Sequence, residues 1–261
     1  MNENSGYLLK DIQLVYLYRM QKKGTLLGVS DPLRFSDDAE KAAAFASAEE
    51  ELTGMGLLKP SFGGKVSVDP VFQSLFEVIT SFEYYIGYDL KKPGSDALTS
   101  RYYYRNGTWA LISDDEDGLS ICYSDGPGKE IAGLPSQAEG TAAEMDVSIT
   151  KRDLNDILGL IRSGQRDEAV KSLSALGWPD ACIAAFLDSL TGSALFVSLT
   201  LATRDGDNVS ADNASVIEKD GVLYEFYQTV NEDDRTVIGL KAAGGGEYVR
   251  LKEVAGQWST M

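Results

Sequence analysis

The order of helix and strand signals along this chain occurs twice, and that repetition constrains the fold more than any single motif. Ile12, Leu14, Val15, Leu17, Tyr18 and Met20 give an apolar helical face over Lys10–Gln21, ended by Gly24 and Gly28. Asp31–Asp38 is a turn and cap leading into an alanine-rich helix over Ala39–Leu52, with Glu49, Glu50 and Glu51 predicted as a solvated face. Met55-Gly56-Leu57-Leu58 stops that helix, and a loop through Gly63-Gly64 reaches Asp69-Pro70, where proline opens a helix over Val71–Thr80. From Phe82 the apolar period changes to two. Strands are predicted over Phe82–Leu90, Arg101–Arg105, Thr108–Ser113 and Leu119–Tyr123. Asn106-Gly107 between two of them is a tight-hairpin signal, because both turn residues must take positive φ. This is a meander.

A low-hydrophobicity stretch over Asp125–Thr141 reads as a linker, and the same order then restarts. A strand over Met145–Ile149 precedes the capping sequence Thr150-Lys151-Arg152-Asp153, and Leu154, Ile157, Leu158 and Ile161 line one helical face. Helices over Asp167–Leu176 and Pro179–Leu190 follow. Strands are predicted over Leu195–Thr203, Ser215–Lys219, Val222–Val230, Thr236–Lys241 and Tyr248–Glu253. Leu52-Thr53-Gly54-Met55-Gly56-Leu57 aligns with Leu173-Ser174-Ala175-Leu176-Gly177-Trp178, and Asp69-Pro70-Val71-Phe72 with Pro179-Asp180-Ala181-Cys182. The hairpin Tyr103–Trp109 aligns with Ile217–Leu223, and the acidic turn Asp114–Asp117 with Asn231–Asp234. The expected fold is α+β: a pseudo-twofold duplication of a helix-plus-antiparallel-meander unit, residues 1–124 and 145–261 joined by 125–144, with a central antiparallel sheet flanked by helices.

The chain contains no histidine, which removes Ser-His-Asp and Cys-His catalysis and the commonest zinc and copper ligand. Forty Asp and Glu against 24 Lys and Arg give a net charge of −16, which repels nucleic-acid phosphates and anionic lipid surfaces. No nucleic acid and no membrane insertion are expected. Cys122 and Cys182 lack metal or disulfide spacing and read as buried thiols. Without a basic start or an apolar leader, the chain reads as cytoplasmic.

The remaining constellations have plainer readings. Ser113–Gly118 offers alternating carboxylates, but Ser113 and Ser124 occupy positions where a calcium loop needs acids, so it reads as a solvated hairpin tip. Asp205-Gly206-Asp207-Asn208 is a turn. A two-carboxylate hydrolase would use Glu83 or Glu225, yet strand alternation places both toward solvent. Gly244-Gly245-Gly246 lacks the lysine of a phosphate loop and lies between predicted strands. No catalytic residue, cofactor or metal follows. Tyrosine is concentrated in Tyr84, Tyr85, Tyr88, Tyr102, Tyr103 and Tyr104, and adjacent strand residues face opposite sides. Such rings serve either partner contact or cross-strand pairing. Candidate partner-binding residues are Tyr84, Tyr88, Tyr102, Tyr104, Tyr224 and Phe226.

Glu51–Leu58 leading through Val68-Asp69-Pro70 into an apolar helix and meander, with the second copy around Leu173–Trp178, resembles the EspG family, cytosolic chaperones of ESX, or type VII, secretion. The resemblance implies a quasi-twofold antiparallel sheet flanked by helices, and a non-enzymatic protein that binds a small helical secretion substrate and keeps it soluble. The absence of histidine and the wealth of Tyr, Lys and Asp set the chain apart from Ala- and Arg-rich mycobacterial members. The acidic charge also fits an immunity-type protein neutralising a basic toxin.

Overall fold

The computed structural model describes residues 6–21, 24–60, 66–136, 146–230, 236–242 and 246–261. A short strand β1 (Tyr7–Leu9) leads into helices α1 (Asp11–Gln21) and α2 (Asp38–Gly54), a small hairpin β2 (Leu58–Pro60) and β3 (Val66–Val68), and helix α3 (Pro70–Thr80). The meander β4 (Tyr84–Lys91), β5 (Ala97–Arg105), β6 (Thr108–Asp115) and β7 (Gly118–Ser124) follows, and then a short helix α4 (Gly128–Gly133). The second series runs β8 (Asp146–Thr150), α5 (Lys151–Arg162), α6 (Arg166–Ala175), α7 (Asp180–Thr191), β9 (Leu195–Asp205), β10 (Asn208–Lys219), β11 (Val222–Val230), β12 (Thr236–Ala242) and α8 (Glu247–Trp258).

Local chemistry explains the boundaries. Asp37 closes a capping box with Glu40 at the start of α2, and the Asp69 carboxylate accepts from the amides of Val71 and Phe72 at the start of α3. Both helices preceding the aligned glycines end alike. Leu57 N–H donates to Leu52 O at 3.0 Å around Gly56 at φ 75°, and Trp178 N–H donates to Leu173 O at 3.2 Å around Gly177 at φ 83°. The hairpin turns also match: Asn106 and Gly107 take φ 49° and 78°, Asp220 and Gly221 take 52° and 78°.

Ten of the described strands form one antiparallel sheet in the order β1-β7-β6-β5-β4-β9-β10-β11-β12-β8. From either end the order is short strand, last meander strand, then the rest of the meander in reverse, and the two halves meet where β4 pairs with β9. Arg204 locks that seam. Its amide donates to Glu83 O at 3.1 Å and its guanidinium to Thr80 O at 2.6 Å.

Adjacent strand residues divide the core between the two faces. Tyr85 and Tyr103 pack with α1 and α3, while Ile217, Tyr224 and Leu240 pack on the same face with α5–α7. Their neighbours Ile86, Tyr102, Val216 and Leu223 point to the opposite face and pack with Ile131 of α4 and Tyr248, Leu251 and Ala255 of α8. Of the described helices, six therefore cover one face and two the other.

Several sequence expectations are corrected. Tyr248–Glu253 is not a strand but the first half of α8, because Tyr248, Leu251 and Ala255 recur at helical spacing and all three are buried. Within Asp125–Thr141, read as a linker, the described residues form the short helix α4, with Ile131 and Leu134 in the core, a helix the sequence reading did not include; residues 137–141 lie outside the described residues. β1, β2 and β3 are too short to carry a period and are not legible from the sequence. β10 begins at Asn208 rather than Ser215: its first half is mostly exposed, with Asn208, Ser210 and Asp212 on one face and only Val209 and Ala211 apolar on the other. Glu49 and Glu51 are not simply solvated: Glu49 accepts from Tyr16 Oη at 2.6 Å and Glu51 from Gln13 Nε2 at 2.7 Å, tying α2 to α1. Asp180 is the first residue of α7 and makes no cap like that of Asp69. The turn Asn231–Asp234 and residues Gly244 and Gly245 lie outside the described residues.

Candidate partner-binding surface

α4 and α8 lie side by side on the less covered sheet face and leave a half-open groove of about 650 Å³ between them. Ile131, Ala132 and Pro135 form one wall, Val249 and Gly256 the other, and Tyr248 the floor. Most of the lining is apolar. The volume falls in the range of a site for an apolar group or a helix ridge. Polar ties join α8 to the segment after α4. Tyr248 Oη donates to Pro135 O at 3.2 Å, and Lys252 Nζ donates to Leu134 O and Ser136 Oγ, each at 2.5 Å. Desolvation lowers the Lys252 pKa from its ordinary value.

Four of the six sequence-selected aromatics form the support of this surface rather than its rim. Tyr88, Tyr102 and Tyr224 are buried, and Tyr84, Tyr104 and Phe226 are half-buried. Tyr84 packs on Tyr104 at 5.8 Å and on Trp258 of α8 at 4.9 Å, Tyr104 on Trp109 at 5.0 Å, and Tyr88 stacks with Tyr102 at 6.4 Å. Burial raises the Tyr102 pKa well above its ordinary value, and the Tyr88 ring beside it adds to the shift. Tyr224 and Phe226 face the other side with α7, where Phe226 meets Phe186 at 6.4 Å. The six are thus divided between the two faces: Tyr84, Tyr88, Tyr102 and Tyr104 underlie the α4–α8 layer, and Tyr224 and Phe226 do not. The groove-lining residues themselves were hidden in the sequence by the linker and strand readings of their segments.

The two carboxylates weighed for hydrolysis separate. Glu83 is exposed, as alternation predicts, whereas Glu225 is 2% exposed, so its expected solvent position is overturned. α8 covers it. Burial raises the Glu225 pKa, opposed by Lys241 and by the amides of Tyr248 and Glu247 at the start of α8, and its Oε2 has no hydrogen-bond partner among the described residues. Gly246, the residue before α8, makes room for it: a Cβ there would lie 1.7 Å from Glu225 Oε2. The glycine run therefore does precede a helix, and a carboxylate of the sheet occupies the helix start.

At the acidic hairpin tip, Asp114 pairs with Arg101 at 2.8 Å, and β6 and β7 are joined by a two-residue turn. No cluster of three potential metal ligands occurs among the described residues. Cys122 is half-buried on β7 and Cys182 buried on α7, both with pKa raised by desolvation. No described helix is long and apolar enough to cross a membrane.

No family model and no curated protein matches the sequence. Among solved structures, the chain is similar to the Mycobacterium tuberculosis type VII secretion system chaperone EspG5, solved in complex with a PE25-PPE41 dimer. The TM-score is 0.49 at 12% identity, over 98% of this chain and 95% of that one.

Proposed function

We propose that the protein is a non-enzymatic cytosolic binding protein of the EspG kind, built by duplication of one α+β unit, that shields an apolar helical tip of a secretion substrate. The observation that carries this reading is the half-open apolar groove between α4 and α8, seated on a tyrosine-braced sheet. A helix presenting a ridge of apolar residues fits such a groove, and the rigid aromatic layer below keeps it preformed. The mirrored strand order and the matching helix-stop and hairpin geometries support the duplication. Residues 1–124 and 145–261 are the two copies, with 125–144 joining them and contributing α4 to the groove.

The direct test fills the groove. Gly256 lines the groove and a Cβ added there would meet no atom within 4 Å, so Gly256→Trp places a large side chain at the groove wall from an unobstructed position. It is expected to abolish co-purification of a small helical export protein from the native organism while leaving the melting temperature within a few degrees of wild type. Retention of the partner by Gly256→Trp would refute the assignment.

The −16 charge supports a second reading, neutralisation of a basic toxin. The two part on salt: an acidic grip weakens steeply from low salt to about 1 M, where screening reaches about 3 Å, while an apolar grip does not.

A further inference from the structure

Between β10 and β11 the sheet forks. β10 pairs with β9 from Asn208 to Glu218, but with β11 only from Ser215 to Lys219, while β11 continues alongside β12 to Val230. In the two-residue hairpin closed by Asp205 and Asn208, alternate β10 residues from Asn208 direct N–H and C=O toward β9. Val209, Ala211 and Asn213 direct theirs to the opposite side, where no backbone partner occurs among the described residues. Asn208, Ser210, Ala211, Asp212 and Asn213 are all exposed. Among the described residues, an interior strand of a ten-stranded sheet thus carries a free edge.

The side chains leave that edge open. Ala211 is small, and the Asn213 amide folds back over β9, donating to Thr200 Oγ1 at 2.7 Å and Ser198 Oγ at 3.1 Å. Neither lysine nor proline, the usual guards of an edge, stands in Asn208–Ala214. The charge nearby is acidic on balance: Asp205 and Asp207 are exposed at the hairpin tip, Asp207 lying 3.7 Å from the Arg204 guanidinium, and Asp212 is shared with Arg250 at 3.2 Å.

We propose that the β10 edge over Val209–Asn213 receives an extended, basic segment of a protein partner by strand addition. The segment's main chain supplies the acceptors and donors that Val209, Ala211 and Asn213 do not find among the described residues, and its lysines or arginines face Asp205, Asp207 and Asp212. This is a different mode, at a different place, from the helix-in-groove reading, and it stands or falls separately.

The probe is a peptide about seven residues long of alternating lysine and valine, added to the full chain, with amide hydrogen exchange read residue by residue. Saturating peptide is expected to slow exchange at Val209, Ala211 and Asn213 by about tenfold or more, leaving Ser210 and Asp212, already paired to β9, unchanged. A peptide with glutamate in place of lysine is expected to give no slowing, and Ala211→Pro, which removes one edge donor, to abolish the effect of the basic one. Unchanged exchange at the three edge amides of the wild-type chain, or equal slowing by the acidic peptide, would overturn the proposal whatever the proline variant does. Unaltered peptide binding by a folded Ala211→Pro chain would overturn it too. The Gly256→Trp result bears on the groove alone.

Discussion

Glu225 shows how one covering helix reverses the meaning of a strand residue. Glu225 stands between Tyr224 and Phe226 in the strand, and set against those core aromatics the glutamate belongs to solvent. What buries it is α8, whose sequence opens with an apolar-polar alternation easily read as another strand. With its pKa raised in the folded state, Glu225 opposes folding progressively as pH rises from its unfolded pKa through its folded one, and costs nothing below both. Glu225→Gln is therefore expected to raise the melting temperature at neutral pH and to lose that advantage below the ordinary carboxylate range, measured by thermal denaturation across pH. Gly246→Ala drives a Cβ into the same carboxylate and is expected to destabilise by about 1–3 kcal/mol. Suppression of that loss in a Gly246→Ala chain carrying Glu225→Ala would show that the carboxylate causes it.

At the scale of elements, legibility followed the strength of local chemistry. α2 and α3 were readable from Asp37, Asp69 and Pro70, and the β5–β6 and β10–β11 turns from Asn106-Gly107 and Asp220-Gly221, since each places a backbone requirement on a particular residue. α4 and α8 were not, because α4 is six residues long and α8 begins after glycines that signal a turn. The helix stops give a matched test of the repeat. Gly56 and Gly177 both hold positive φ in open space, so alanine there pays only for left-handed backbone, about 1–2 kcal/mol each. The two losses are expected to be similar and to add within about 0.5 kcal/mol in the double variant, read by denaturant unfolding. In α8, Gly256→Ala meets no neighbour and is expected to stabilise by about 0.5–1 kcal/mol, which separates the helix's own preference from the groove it lines.

The whole molecule is a sheet joined at β4 and β9 with unequal cover: three helices from each half on one face, one short and one longer helix on the other. The repetition of order was legible in the sequence; the unequal cover was not, because it depends on where α4 and α8 land. The candidate tyrosines illustrate the same limit. Their clustering in β4 and β5 was visible, but Tyr88 and Tyr102 are the layer beneath a surface made by Ile131, Ala132, Val249 and Gly256. Arg204 holds the seam, and Arg204→Ala, which strips Thr80 O of its guanidinium donor, is expected to cost about 1–3 kcal/mol with one cooperative transition retained. Two separated transitions would show that the halves fold apart.

The measurement bearing most directly on this architecture is recovery of the native partner on wild-type and Gly256→Trp chains at low salt and at about 1 M salt. Capture of a helical export protein by wild type at both salt concentrations, and by the tryptophan variant at neither, is the predicted result. Capture by both chains that disappears at high salt would contradict an apolar groove as the docking surface.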